Sequence, residues 1–396
     1  MDLEAFRRSP TGRLVPTVAG QFAFVPATLP PPLDFAKLVM PLAEAMQAIG
    51  ELNAAGRSLA NPSLVIRPLQ RREALLSSSM EGTYTTADAL ALAVADDGAE
   101  VDASTIEVRN YITAFQVAER LLKELPLSNR LIKTVHRTLL SAVGRERGAN
   151  KRPGEYKDQQ NFIGGRNRQI ENARFVPPPP IETESAMAEL ERYLNRLDRA
   201  GIPAIVDAAL FHYQFETIHP FADGNGRVGR ILIPIYLMQE GVLENPLLYL
   251  SPAVEGRKDD YVDLMLAVSR EGAWTDWIAF FLEMVTASCR SASSTIRELE
   301  AMRSDFRQRI SERRSSARVL TIVDDLFARP VTSIPQIANL LGVTYPAAKS
   351  AVDRLVELGI LDELQTTSNP RRFICWPIVD LSEGRARRLP DVDVTV

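Results

Sequence analysis

Apolar residues recur at helical spacing along most of this chain. Leu38, Val39, Leu42, Met46 and Ile49 put one apolar face on a helix from Phe35 to about Leu59. The same period predicts helices from about Pro68 to Ser79, from Thr85 to Ala95, over 103–123 and from Leu131 to Ala142. It resumes from about Thr183 to Ala200 and from Ala204 to Thr217. A further helix is expected from Arg227 to Gln239, with Pro234 as a candidate kink and Gly241 as the stop. From Tyr261 to about Ser311 the pattern is again helical, with a charged tail from Arg303 to Arg314.

Two stretches break the period. Residues 1 to about 35 carry Pro26, Pro30, Pro31 and Pro32, which a helix interior rejects, and read as an irregular arm over the first helices. Residues 149–180 hold short β-prone pieces between Gly and Asn, closed by Pro177 to Pro180, and read as a hairpin. Beyond Ser315 the pattern suggests a separate unit. Val319–Phe327 forms one helix, a second starts at Ser333, Gly342-Val343-Thr344 makes a tight turn, Tyr345–Leu358 forms a third, and Leu364–Cys375 supplies two strands. That order is a winged helix-turn-helix layout. The expected fold is mainly α: a helical core with a β-hairpin flap, plus a C-terminal winged helix-turn-helix domain. The expected boundaries are an N-terminal helical region 1–104, a core 105–255, connecting helices 256–314 and the winged unit 315–396.

Composition narrows the function. With 45% hydrophobic and 24% charged residues, the chain reads as an ordinary soluble protein, and its net charge of -4 gives no general attraction to nucleic acid or anionic membrane. Cys289 and Cys375 are far apart in apolar surroundings, so neither a disulfide framework nor a zinc site is expected and a reducing compartment fits. No run has signal-peptide or membrane-span length. The expectation is a cytoplasmic protein with no membrane partner.

The chemistry concentrates in His219-Pro220-Phe221-Ala222-Asp223-Gly224-Asn225-Gly226-Arg227-Val228-Gly229-Arg230. A neutral imidazole can take a proton from a hydroxyl near pH 7. A carboxylate four residues on suits Mg²⁺. Gly224-Asn225-Gly226 can turn successive N–H groups onto an anion, and Arg227 and Arg230, one helical turn apart, can fork onto phosphate oxygens. The combination describes a site for a nucleoside triphosphate that carries its own base. His212 and His136 are expected to be packed core residues.

This run resembles the Fic motif, H-P-F-x-[D/E]-G-N-G-R-x-x-R, at every defined position. The resemblance implies protein adenylyltransfer: AMP moves from ATP to a Ser, Thr or Tyr hydroxyl of a protein target, or of the chain itself. In that reading His219 is the base and Asp223 holds Mg²⁺ with the phosphates. The N–H groups of Gly224 to Gly226 and the helix start through Val228 and Gly229 bind phosphate. Asn225 adds a side-chain bond to the α-phosphate, Arg227 serves the β-phosphate and Arg230 the γ-phosphate. Gly226 stands where phosphoryl-transferring relatives carry Lys. Candidates for selecting adenine are the flap and the segment from Leu250-Ser251 to Tyr261.

Two further segments resemble family features. Asn161-Phe162-Ile163-Gly164-Gly165 resembles the Fic flap, whose edge orients the target by strand addition. Ser77-Ser78-Ser79-Met80-Glu81-Gly82 resembles the inhibitory motif, [S/T]-x-x-x-E-[G/N]; Ser77 and Gly82 frame Glu81, which would pair with Arg230 and block the γ-phosphate position. A helix-end reading, with Gly82 as a plain cap, remains its alternative. Competing functions are removal of AMP by the same site, with Glu81 orienting water, and DNA binding by the winged unit. The second is not favoured, because acidic Asp353, Glu357, Asp362 and Glu363 sit among its few basic residues. A homodimer is the expected assembly.

Overall fold

The computed structural model describes residues 1–59, 61–95, 101–144, 148–164, 169–312, 317–364 and 370–383. The N-terminal arm is not irregular. It forms a short helix, α1 (Leu3–Arg7), and an antiparallel pair, β1 (Gly12–Pro16) and β2 (Phe22–Pro26), with Gly12 opposite Pro26. Pro16 and Pro26 end the strands rather than interrupt them, a position that strands tolerate. Phe6, Phe24 and Phe175 cluster with ring centroids 5.2–6.0 Å apart, which anchors the pair to the body.

The helical body follows the predicted order. It comprises α2 (Val39–Ser58), α3 (Ser63–Ser79), α4 (Ala87–Ala95), α5 (Ala103–Leu122), α6 (Asn129–Leu139), α7 (Pro180–Leu194), α8 (Ala204–Ile218) and α9 (Asn225–Gln239). Side-chain caps set several starts: Asp102 accepts from the N–H of Thr105 at 2.7 Å, and Ser128 from that of Leu131 at 3.4 Å. Helix α3 begins five residues before Pro68, which lies buried inside it. The stretch expected to be one helix after Tyr261 is two, α11 (Lys258–Glu271) and α12 (Trp274–Glu312), preceded by a short α10 (Ser251–Glu255). Gly272, at φ 74°, is the cap that separates them.

Helices α8 and α9 sit at the centre and are buried on nearly every side. Trp277 of α12 is fully buried and donates its indole N–H to the Ala209 carbonyl at 2.9 Å, tying the longest helix to α8. This places the α8–α9 connection, which carries the twelve-residue motif, on a rigid base.

Among the described residues the expected hairpin at 149–180 is much reduced. Its described part holds one antiparallel bridge, Ile163 with Phe175, and short helical turns at 149–151 and 170–172. The segment is rich in Gly, Asn and Gln and poor in β-branched residues, so a long ladder has little to pack. Gly165 lies outside the described residues.

The C-terminal part contains α13 (Ala317–Ala328), β3 (Val331–Ser333), α14 (Ile334–Leu341), α15 (Tyr345–Glu357), β4 (Asp362–Leu364), β5 (Arg372–Ile374) and α16 (Trp376–Glu383). Its strands form an antiparallel sheet of order β3-β5-β4. It packs directly on the helical body. Val331, Ile374 and Val379 share one apolar cluster with Ala87 and Ala91 of α4, and Leu75 of α3 packs against it. Lys349, Arg354 and Arg371 are paired with Asp353, Glu357 and Glu363. Cys289 and Cys375 are both free and buried. Among the described residues no helix is long and apolar enough to cross a membrane.

Candidate active site

Helix α8 ends at His219, whose φ of 48° is left-handed, a conformation that non-glycine residues rarely adopt. The chain then loops through Asp223 to Gly224, at φ 77°, and α9 begins. The loop is closed from inside. Asn225 accepts from the Phe221 N–H at 2.8 Å and donates to the Phe221 carbonyl at 2.9 Å. Phe221 is fully buried, and its ring stacks on His136 with centroids 3.8 Å apart. His136 accepts from the Gly154 N–H at Nδ1 (2.9 Å) and therefore donates from Nε2 to the Asp223 carbonyl (3.0 Å). Burial pushes its imidazole down to about 4, so it stays neutral.

His219 itself is half-buried. Its Nδ1 lies 3.2 Å from the Glu216 carbonyl, and a carbonyl can only accept. The proton therefore sits on Nδ1, and Nε2 carries a free lone pair. Burial, with the Lys157 ammonium adding to it, pushes the imidazole down to about 4 and keeps it neutral at pH 7.

Arg230 points into the same cavity. It donates from Nε to the Ser77 hydroxyl at 2.8 Å, and from one terminal nitrogen to the Ser77 carbonyl at 2.9 Å and to a Glu81 carboxylate oxygen at 2.8 Å. Burial works to raise the Glu81 carboxyl, but Arg230 outweighs it and holds the group below its ordinary value. Glu81 sits in the turn after α3, which Gly82 closes at φ 80° and Lys258 ties through the Met80 carbonyl at 2.5 Å. A Cβ built on Gly226 would stand 2.2 Å from the Glu81 carboxylate. The carboxylate thus lies against the first turn of α9, where N–H groups have no intrahelical acceptor and the helix end favours an anion. Only glycine allows that approach.

These groups line one cavity of about 440 Å³: Glu81, Ile163, Gly164, His219, Gly226 and Arg230 meet there with Lys258, Asp259 and Tyr261 of α11. Several expected roles are changed by the packing. Asn225 bonds Phe221 through both its amide oxygen and its amide nitrogen, so its side chain is engaged in closing the loop. The Gly224 N–H donates to Asp223 at 2.6 Å and is not free for an anion. Arg227 is 1% exposed and pairs with Glu107 beneath the loop, 3.6 Å from Asp223, instead of reaching into the cavity. Val228 is fully buried, and Gly229 is the point where α9 passes Glu216, since a Cβ there would lie 2.2 Å from its carboxylate. Of the flap, Asn161 points back at the motif loop and Phe162 packs on the apolar cluster of β1 and β2, leaving Ile163 and Gly164 at the cavity. Ser251 bonds Glu73 in the core and Leu250 is buried, so of the segment from Leu250 to Tyr261 only the end reaches the cavity, where it meets Ile163 and Gly164 of the flap. His212 is buried beside Tyr261 and Trp277, as a packed residue should be.

The sequence did not point to Lys157, Glu107, Glu216 or the anchoring role of His136. Glu216 lines the cavity with one carboxylate oxygen buried and unpartnered; burial pushes its carboxyl up to about 8, against the pull of Arg230. Nothing in the spacing separates these residues from ordinary helix and loop polar positions.

Residues 126–237 match the Fic/DOC family, and residues 39–120 match the Fic/DOC family N-terminal segment. Over 146 residues, 36% of this chain, it is 32% identical to Protein adenylyltransferase Fic of Drosophila ananassae and 31% identical to that of Drosophila melanogaster. That alignment spans 27% of those curated relatives, about a quarter of their length. Two solved structures share the fold. A Fic family protein from Desulfovibrio desulfuricans G20 superposes with a TM-score of 0.54 at 20% identity, covering 91% of this chain and 100% of that one. A Fic domain containing signaling protein from Bacteroides thetaiotaomicron VPI-5482 gives 0.52 at 19%, covering 64% of this chain and 97% of that one. Two consecutive stretches of the chain are thus similar to the Fic/DOC family, its N-terminal segment first and its central domain after it.

Proposed function

We propose that this chain is a protein adenylyltransferase that moves AMP from ATP to a Ser, Thr or Tyr hydroxyl, and that Glu81 holds it off. The observation that carries the reading is the meeting of a base with a free lone pair, a helix N-terminus and a buried arginine in one cavity. The relatives named as adenylyltransferases support the choice of nucleotide. His219 Nε2 takes the proton of the target hydroxyl. The freed oxygen bonds to the α-phosphorus, the bond from that phosphorus to the bridging oxygen breaks, and diphosphate leaves. N–H groups in the first turn of α9 hold the phosphates, and Arg230 takes the γ-phosphate once Glu81 has left it. Arg227 supports the loop from beneath.

Among the described residues no three His, Cys, Asp or Glu side chains gather as a metal cage. A single carboxylate plus substrate phosphates is what Mg²⁺ commonly accepts, and Asp223, 42% exposed in its side chain, fits that donor set. Mg²⁺ held there would neutralise charge on the departing diphosphate. Asp223→Ala is expected to raise the Mg²⁺ concentration for half-maximal rate by about tenfold or more, the worth of one charged ligand contact of ~1.4 kcal/mol. A Mg²⁺ titration of rate reads it; an unchanged curve would leave Asp223 as the acceptor for the Gly224 N–H alone.

The reading itself is tested with ATP radiolabelled at either the α- or the γ-phosphorus and the Glu81→Gly chain. Label from the α position should stay on protein and label from the γ position should not. Retention of the γ label would mean phosphoryl transfer instead.

A further inference from the structure

We propose that Lys157 and Asn161 form a strap that positions His219. Lys157 is 4% exposed, and its ammonium donates to Asn161 Oδ1 at 2.8 Å and to the Ile218 carbonyl at 3.2 Å. Its backbone N–H donates to the Pro220 carbonyl at 2.8 Å. Asn161 completes the strap by donating to the His219 carbonyl at 3.0 Å and the Phe221 carbonyl at 3.1 Å. Four consecutive carbonyls, 218 to 221, are thus held by two residues of one segment, Lys157 and Asn161. A reason for so many bonds is at hand: His219 is left-handed, and such a conformation persists only when its surroundings over-determine it. Burying an ammonium with carbonyl and amide acceptors is costly, and burial lowers Lys157 to about 7. A cost of that kind is expected where position matters more than stability. The same strap joins the flap base to the motif loop, so it also aligns the flap edge with the His219 lone pair.

This inference rests on the base role of His219, and its test separates the two. In the Glu81→Gly chain, Lys157→Met should lower kcat by about 10–100-fold, the effect of an ångström-scale misplacement, while KM for ATP stays within about twofold. Lys157→Arg should recover most of the loss. Asn161→Ala, at a half-buried position, should cost about the same, and the double variant little more than either single one. Hydrogen exchange should speed up in the segment 215–222 of both variants, together with the flap base that the strap joins to it. The exchange readout stands even if no target is labelled, so failure of the proposed function would not hide the result. Normal kcat in both variants, additive losses, or unchanged exchange in 215–222 would each overturn the strap.

A second inference comes from the other end of α3. We infer that the C-terminal part braces the helix that carries Ser77 and leads to Glu81. Arg71, 3% exposed, lies in α3 and donates to the Ala328 carbonyl at 2.9 Å and the Phe327 carbonyl at 3.1 Å. It caps the C-terminal end of α13, where free carbonyls and the helix end favour a cation. Leu75, one turn on, packs on the cluster of Val331, Ile374 and Val379, and Gln336 donates to the Ala95 carbonyl at 2.8 Å. The helix is therefore clamped between Arg230 at its end and α13 along its side, and loosening the seam should loosen Glu81.

The brace rests on the inhibitory role of Glu81, which the background separates. Arg71→Gln should raise labelling about fivefold or more in the otherwise natural chain and leave the Glu81→Gly chain unchanged, because the contact it acts through is already gone. Gln336→Ala, outside α3, should act in the same direction and guards against a misfolded Arg71 variant. Hydrogen exchange in 71–82 should rise in both. No gain in labelling with either variant, or an equal gain in the Glu81→Gly chain, would overturn the brace; unchanged exchange in 71–82 would do the same without reference to activity.

Discussion

His219→Ala, placed in a Glu81→Gly chain, is expected to reduce labelling by at least about 10²–10⁴-fold. The loss should fall on kcat, because the imidazole contacts the attacking hydroxyl and not the triphosphate. ATP binding should stay close to normal, since the first turn of α9 and Arg230 are untouched. The geometry supports this division. His219 is held by its Nδ1 bond to Glu216 and by its own backbone, while Arg230 is fixed by Ser77 on a different element. Labelling kinetics with a hydroxyl target, alongside ATP titration, check both halves. An alanine variant that labels at the parent rate would remove His219 from the mechanism.

Glu81→Gly is expected to raise labelling by at least about tenfold, equivalent to losing ~1.4 kcal/mol of competition. The competing contact is charge-assisted and half-enclosed: the Arg230 side chain is 4% exposed and that of Glu81 36%. The Glu81 carboxylate also rests on the α9 N-terminus, so one acidic group occupies two of the features that a triphosphate needs. Arg230→Ala added to Glu81→Gly should cancel most of the gain, because the γ-phosphate then lacks its anchor. Rate against ATP concentration for the three chains checks it; equal rates for the natural and Glu81→Gly chains would make Glu81 a helix-end residue only.

Much of this site is legible in the sequence because its chemistry is local. His219 to Arg230 are contiguous, and the glycines at 224, 226 and 229 are there for visible reasons: a positive φ at the first and close carboxylates at the other two. The Glu81–Arg230 contact, 149 residues apart, follows from the family pattern and not from any periodicity. What the sequence misplaces is governed by long-range packing. Arg227 reads as a phosphate ligand until Glu107, on α5, is seen to hold it. Asn161 reads as part of a target-facing edge until its amide is found on the motif carbonyls. The N-terminal strand pair hides behind prolines that mark its ends, and the C-terminal part looks separate because nothing along the chain announces that Leu75 and Val331 share a cluster. Helix boundaries slip by a few residues wherever a cap such as Gly272, and not the hydrophobic period, sets the stop.

We propose above that Glu81 and the γ-phosphate compete for Arg230 over a site that adenylylates hydroxyls. The most direct measurement is intact-mass spectrometry after incubation with ATP and Mg²⁺, of the natural chain, Glu81→Gly, and Glu81→Gly with Arg230→Ala, each with a hydroxyl-bearing target mixture. Added AMP, mapped to Ser, Thr or Tyr, is expected on protein in the Glu81→Gly sample and little in the other two. AMP added equally by all three chains, or by none, would contradict it.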